Sequence, residues 1–134
     1  MKYEFLEHTA DIKFKAYGNT LNEAFENAVL AIAEFLAKGQ KVRARKGKVV
    51  NVHGTDKENL LYNFIDELIY LIDAENFVVV RGEVSVLGNN IKAELFGDDA
   101  SNYSGLDSIK AATYSEMFVR KISGRWEIQC VVDV

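Results

Sequence analysis

Between Asp11 and Tyr17 apolar and polar residues alternate at every second position: Ile12, Phe14 and Ala16 interleave with Asp11, Lys13 and Lys15. That period marks a strand with one buried face. The preceding residues from Tyr3 form a second short strand, joined to the first through Glu7, His8, Thr9, Ala10 and Asp11. The period then lengthens. Leu21, Ala24, Phe25, Ala28, Val29, Ile32, Ala33 and Leu36 fall on one stripe of a helix. Thr20 with Glu23 has the form of a capping box, and Gly39 stands where a helix end favours positive φ. A second helix follows Asp56, a good N-cap, with Leu60, Leu61, Phe64, Ile65, Leu68, Ile69 and Ile72 as its buried stripe. Glu58, Asp66, Glu67 and Asp73 form its polar face, which reads as solvated before it reads as a dock for a basic partner.

Strand patterns fill the rest. "VVNVHG" lies between the helices, behind a basic stretch, and "FVVVRGEVSVLGNNIKAELFG" is a hairpin turning near Gly88-Asn89-Asn90. "DDASNYSGLD" reads as a polar loop, and the last 26 residues form a hairpin turning at Ser123-Gly124. The order β-β-α-β-α-β-β-β-β predicts an α+β fold: one two-layer domain over residues 1–134, with two amphipathic helices on a largely antiparallel or mixed sheet.

Composition narrows the function. A net charge of −4 and a pI near 5.2 argue against coating nucleic acid by bulk electrostatics. The local exception is Lys38, Lys41, Arg43, Arg45, Lys46 and Lys48 in "KGQKVRARKGKVV". This run lacks the aromatic interleaving of a single-strand platform, so it reads first as a connector and second as a contact for RNA or an RNA-bound partner. Cys130 is the only cysteine, which excludes an intrachain disulfide and a thiolate cage. With no signal-peptide core and no apolar run long enough to span a bilayer, a cytoplasmic protein is expected.

Candidate chemistry collects at the two ends. Asp11 begins the polar face of its strand. In "EIQCVVDV" Ile128, Cys130 and Val132 alternate with Glu127, Gln129 and Asp133, so Asp133 also lies off the apolar stripe, one residue before Val134. Two carboxylates brought to about 4 Å repel by roughly 4 kcal/mol at an effective dielectric near 20. Such a pair needs a proton, a basic partner or a divalent cation. Sequence alone does not bring Asp11 beside Asp133. His8 is a ligand or proton shuttle by chemistry, and an ordinary turn histidine by frequency. No GxSxG, Cys–His pair or phosphate-cradling glycine loop is present, which leaves an independent hydrolase or transferase little support.

The segments "YEFLEHTADIKF", "GNTLNEAFENAVLAI", "DKENLLYNFIDELIYLID", "IKAATYSEM" and "WEIQCVVDV", in that order along nearly the whole chain, resemble the archease family. The resemblance implies an accessory protein rather than an enzyme. It would assist an RtcB-type RNA ligase of tRNA splicing, promoting guanylylation by GTP and repeated turnover. An alternative implied role is a chaperone-like modulator of a tRNA modification enzyme. Contact with nucleic acid would be indirect or weak, and no membrane is involved. The resemblance also implies a divalent metal ion held by the aspartate of "HTAD", the last aspartate and the final residue: Asp11, Asp133 and Val134. All-oxygen ligation favours Ca²⁺ or Mg²⁺. Ser115 stands where many archeases carry histidine, so no role of that histidine transfers.

Overall fold

The computed structural model of the chain describes residues 1–8 and 10–134. Thr9, part of the "HTAD" segment, lies outside the described residues. The elements run β1 (Tyr3–Leu6), β2 (Ile12–Gly18), α1 (Leu21–Ala37), β3 (Lys46–His53), α2 (Lys57–Glu75), β4 (Phe77–Leu87), β5 (Asn90–Asp99), a 3₁₀ turn (Ala100–Asn102), β6 (Ala111–Ile122) and β7 (Arg125–Asp133).

Both helices begin as their caps dictate. Thr20 Oγ1 accepts from the Glu23 N–H at 3.1 Å, and Asp56 Oδ1 accepts from the Asn59 N–H at 2.8 Å. Each satisfies a donor that the helix leaves free. Lys38 and Asn76, both left-handed, end the two helices. Gly88, with φ +60, opens the β4–β5 turn, while Ser123 and Gly124 both take positive φ between β6 and β7, as tight hairpins require.

The α+β class and the antiparallel pairing hold, but the strands divide between two sheets. One has the order β1-β2-β7-β6 and the other β3-β5-β4, and every pairing among them is antiparallel. The apolar stripes of α1 and α2 meet Phe14, Ile128, Cys130 and Val132 of the first sheet and Val50, Ile91, Ala93 and Leu95 of the second in one core. Phe25 and Phe64 pack edge to face where the helices meet, with ring centroids 5.7 Å apart. Pairing of β2 with β7 is the long-range contact that matters for function. It joins the two chain ends in the middle of a sheet, so the segment before β2 and the last residues after β7 emerge at the same end.

Candidate functional site

The β2–β7 register runs from Gly18↔Trp126 to Ile12↔Val132. Continued by one step beyond β2, that register would set Asp11 across from Asp133. Asp133 is exposed, still paired with Ala111 of β6, and its carbonyl accepts from the Lys110 N–H at 2.8 Å. Asp11 is half-buried, and Val134 is half-buried against the core. The three sequence-predicted residues therefore gather at one sheet end. An open depression of about 620 Å³ is lined by Asp11 with Leu6, Glu7, His8 and Ile12.

Asp11 and Asp133 offer carboxylates and Val134 a main-chain oxygen, a hard-oxygen set that would fit Ca²⁺ or Mg²⁺ better than zinc. It is also incomplete. No group of three His, Cys, Asp or Glu side chains able to hold a metal occurs among the described residues. A cation here would draw the rest of its shell from water or from a docked partner.

His8 does not stand alone. Its Nε2 lies 3.0 Å from Glu116 Oε2, while the Lys13 ammonium donates to Glu116 Oε1 at 3.1 Å. The Lys13 hydrogen bond and charge, then His8, hold the Glu116 carboxyl below the usual range against a smaller cost of burial. Glu116 escaped sequence reasoning because the register of β6 on β7 shifts between Thr113 and Phe118. Its one local signal was the unbroken polar run Tyr114-Ser115-Glu116, which interrupts the alternation. Ser115 is exposed, with its N–H donating to Thr113 Oγ1 at 3.3 Å.

The basic stretch is partly neutralised. Lys46 and Lys48 belong to β3, which begins earlier than expected, and they pair with Asp99 at 2.7 Å and Glu75 at 2.6 Å. Arg45 Nε approaches Asp98 Oδ2 at 3.8 Å. Asp98, expected in a polar loop, is in fact buried at the end of β5. It accepts from the Tyr103 hydroxyl at 2.8 Å, and that hydroxyl accepts from the Arg43 N–H. Lys38, Lys41 and Arg43 are exposed and make no ion pair among the described residues. On α2, burial first and then Glu75 and Asp66 push the Glu67 carboxyl up.

The family model for the Archease protein family matches residues 3–134. A "Protein archease" of Pyrobaculum islandicum is 42% identical, over 98% of this chain and 95% of that relative. Among solved structures, the solution structure of Methanobacterium thermoautotrophicum protein 1598 superposes with a TM-score of 0.80 at 28% identity, covering 99% of both chains. A Thermotoga maritima crystal structure described as an archease, possible chaperone, reaches a TM-score of 0.62 at 19% identity, covering 96% of this chain and 94% of that one, and shares the fold.

Proposed function

The chain belongs to the archease family, and from that premise we propose that it is a cytoplasmic accessory protein that activates an RtcB-type tRNA-splicing RNA ligase. Its working end is the sheet end that carries Asp11, Asp133 and Val134, whose oxygens would together hold a Ca²⁺ or Mg²⁺ ion. The observation that supports this reading is the β2–β7 register, whose continuation would set the two aspartates opposite each other.

Bound there, a hard cation would supply positive charge for nucleotide phosphate oxygens during guanylylation of the ligase. The chain's own part is positional. β7 is an inner strand, paired on both edges, so Asp133 is presented from a rigid base. Asp11 emerges from the neighbouring strand beside an open depression, where a partner has room to approach. An incomplete oxygen shell suits a site whose remaining ligands arrive with that partner.

The test is a multiple-turnover guanylylation assay with the ligase and wild type, Asp11→Ala or Asp133→Ala. Loss of stimulation by both folded variants is expected. Full stimulation by both overturns the proposal.

A second reading, a chaperone-like modulator of a tRNA modification enzyme, draws on the exposed cations Lys38, Lys41 and Arg43, which make no ion pair among the described residues. It predicts that Lys41→Glu with Arg43→Glu abolishes binding to that enzyme while Asp11→Ala has no effect. Arg45 and Lys46 are poorer probes, because their reversal would also break contacts to Asp98 and Asp99.

A further inference from the structure

We propose that Glu116 is a positioning residue for Asp11, clamping the chain on both sides of that aspartate to the distant strand β6. This inference rests on the metal-site reading of Asp11 and deepens it.

Among the described strands β6 pairs only with β7, and that pairing is interrupted. Thr113 is opposite Val131 and Phe118 is opposite Gln129, so Tyr114, Ser115, Glu116 and Met117 together face Cys130 alone. Within this bulge Glu116 has φ +53. Left-handed backbone is uncommon for a glutamate, which lacks the short side chain that lets Asn or Asp tolerate it. The strained residue is held from behind: the Gln129 side-chain amide donates to the Glu116 carbonyl at 2.7 Å, and Gln129 is itself buried. Bulges re-aim side chains. This one sends a carboxylate across β7 to the far side of the sheet.

There it meets two residues that flank Asp11. His8 precedes Asp11 by three positions and Lys13 follows it by two. Each takes one oxygen of Glu116, at 3.0 and 3.1 Å. A carboxylate only accepts, so His8 carries its proton on Nε2. The other ring nitrogen, Nδ1, is buried and has no partner among the described residues. The ring's orientation therefore depends on Glu116. Lys13, opposite the fully buried Val131, likewise has Glu116 as its ion-pair partner among the described residues. Remove the carboxylate and both anchors of the Asp11 segment lose their common hold. Because both Glu116 oxygens are occupied by the protein, its role is to aim a ligand and not to be one. Partners that orient a ligand matter to affinity nearly as much as the ligand itself.

The experiment uses the full chain as wild type, Glu116→Ala, Glu116→Gln and Asp11→Ala. In metal-free protein, amide hydrogen exchange followed by NMR should quicken at Asp11 and Ile12 in Glu116→Ala, with α1 amides unchanged. Calorimetric titration with Ca²⁺ should show affinity about tenfold weaker in Glu116→Ala. Glu116→Gln, which keeps an acceptor for Lys13, should recover most of it. Wild-type affinity in Glu116→Ala overturns the clamp. A Glu116→Gln variant as defective as Asp11→Ala overturns it too, since Glu116 would then act as a ligand. A wild type that binds no Ca²⁺ is a different failure: it overturns the metal reading, and this inference with it.

Discussion

Cys130 shows how completely a single side chain can be silenced by its place in a strand. It faces the core opposite Phe14, and burial pushes its thiol up to about 12. Thiol reagents need both thiolate and access, and neither exists here at pH 8. Native protein is expected to stay unlabelled by a disulfide reagent at pH 8, and to label fully in guanidinium; rapid native labelling would contradict this burial. Asp98 is the opposite case, a carboxylate 2% exposed and yet fully used. The Tyr103 hydroxyl, then the Asp99 N–H, Arg45 and Asn102, hold it below its ordinary value against the opposing effect of burial. A depressed folded-state value adds stability above the unfolded value, and that stability is lost as pH falls through the folded one. Glu116 carries the same sign. Melting temperature should therefore decline as pH drops below about 4. Tyr103→Phe should melt lower than wild type at pH 7, and the difference should shrink in acid, once Asp98 is protonated in both. A constant difference would mean that Tyr103 acts by packing alone.

Among elements, the two helices owe their starting points to one side chain each. Thr20→Ala and Asp56→Ala should each cost about 1 kcal/mol in chemical denaturation, with the slope unchanged. Gly97→Ala should cost more, because a Cβ there would stand 2.0 Å from the Val78 carbonyl oxygen, forcing β5 from β4 beside the Val79/Arg81 irregularity. Helices, caps and both hairpin turns were legible in the sequence because each is written within a few residues: Thr20 with Glu23, Asp56 with Asn59, Ser123 with Gly124. Division into two sheets was not, since the chain's alternation says which face of a strand is buried and nothing about its neighbour. The candidate site divides along the same line. Asp11 and Asp133 were legible as polar positions on apolar strands, whereas their meeting depends on β2 choosing β7, more than a hundred residues away. Glu116 was hidden further, since a bulge breaks the period that would have assigned its face. In the basic stretch, likewise, Lys46, Lys48 and Arg45 look free until the acidic residues opposite them are placed.

For the whole molecule, the pairing of β2 with β7 ties folding to the proposed site. Both strands are interior to their sheet, so the first strands cannot finish packing until the last strand arrives. On the proposed reading Asp11 and Asp133 would come together only in the folded chain, and an ion that needs both would bind the native state and not the unfolded one. Mass action then converts binding into stability, about 2.7 kcal/mol when free cation stands at 100 times its dissociation constant. For a chain of this size that corresponds to a rise on the order of 10 °C in melting temperature. Thermal melts of wild type in saturating Ca²⁺ should show this rise, while Asp11→Ala and Asp133→Ala should melt alike with and without the ion. Mg²⁺ should act more weakly, because it demands a near-ideal octahedron that an open, partner-completed shell does not impose. If Ca²⁺ raises the melting temperature of the aspartate variants as much as that of wild type, the ion binds elsewhere. The sheet end would then have to act through its carboxylates alone.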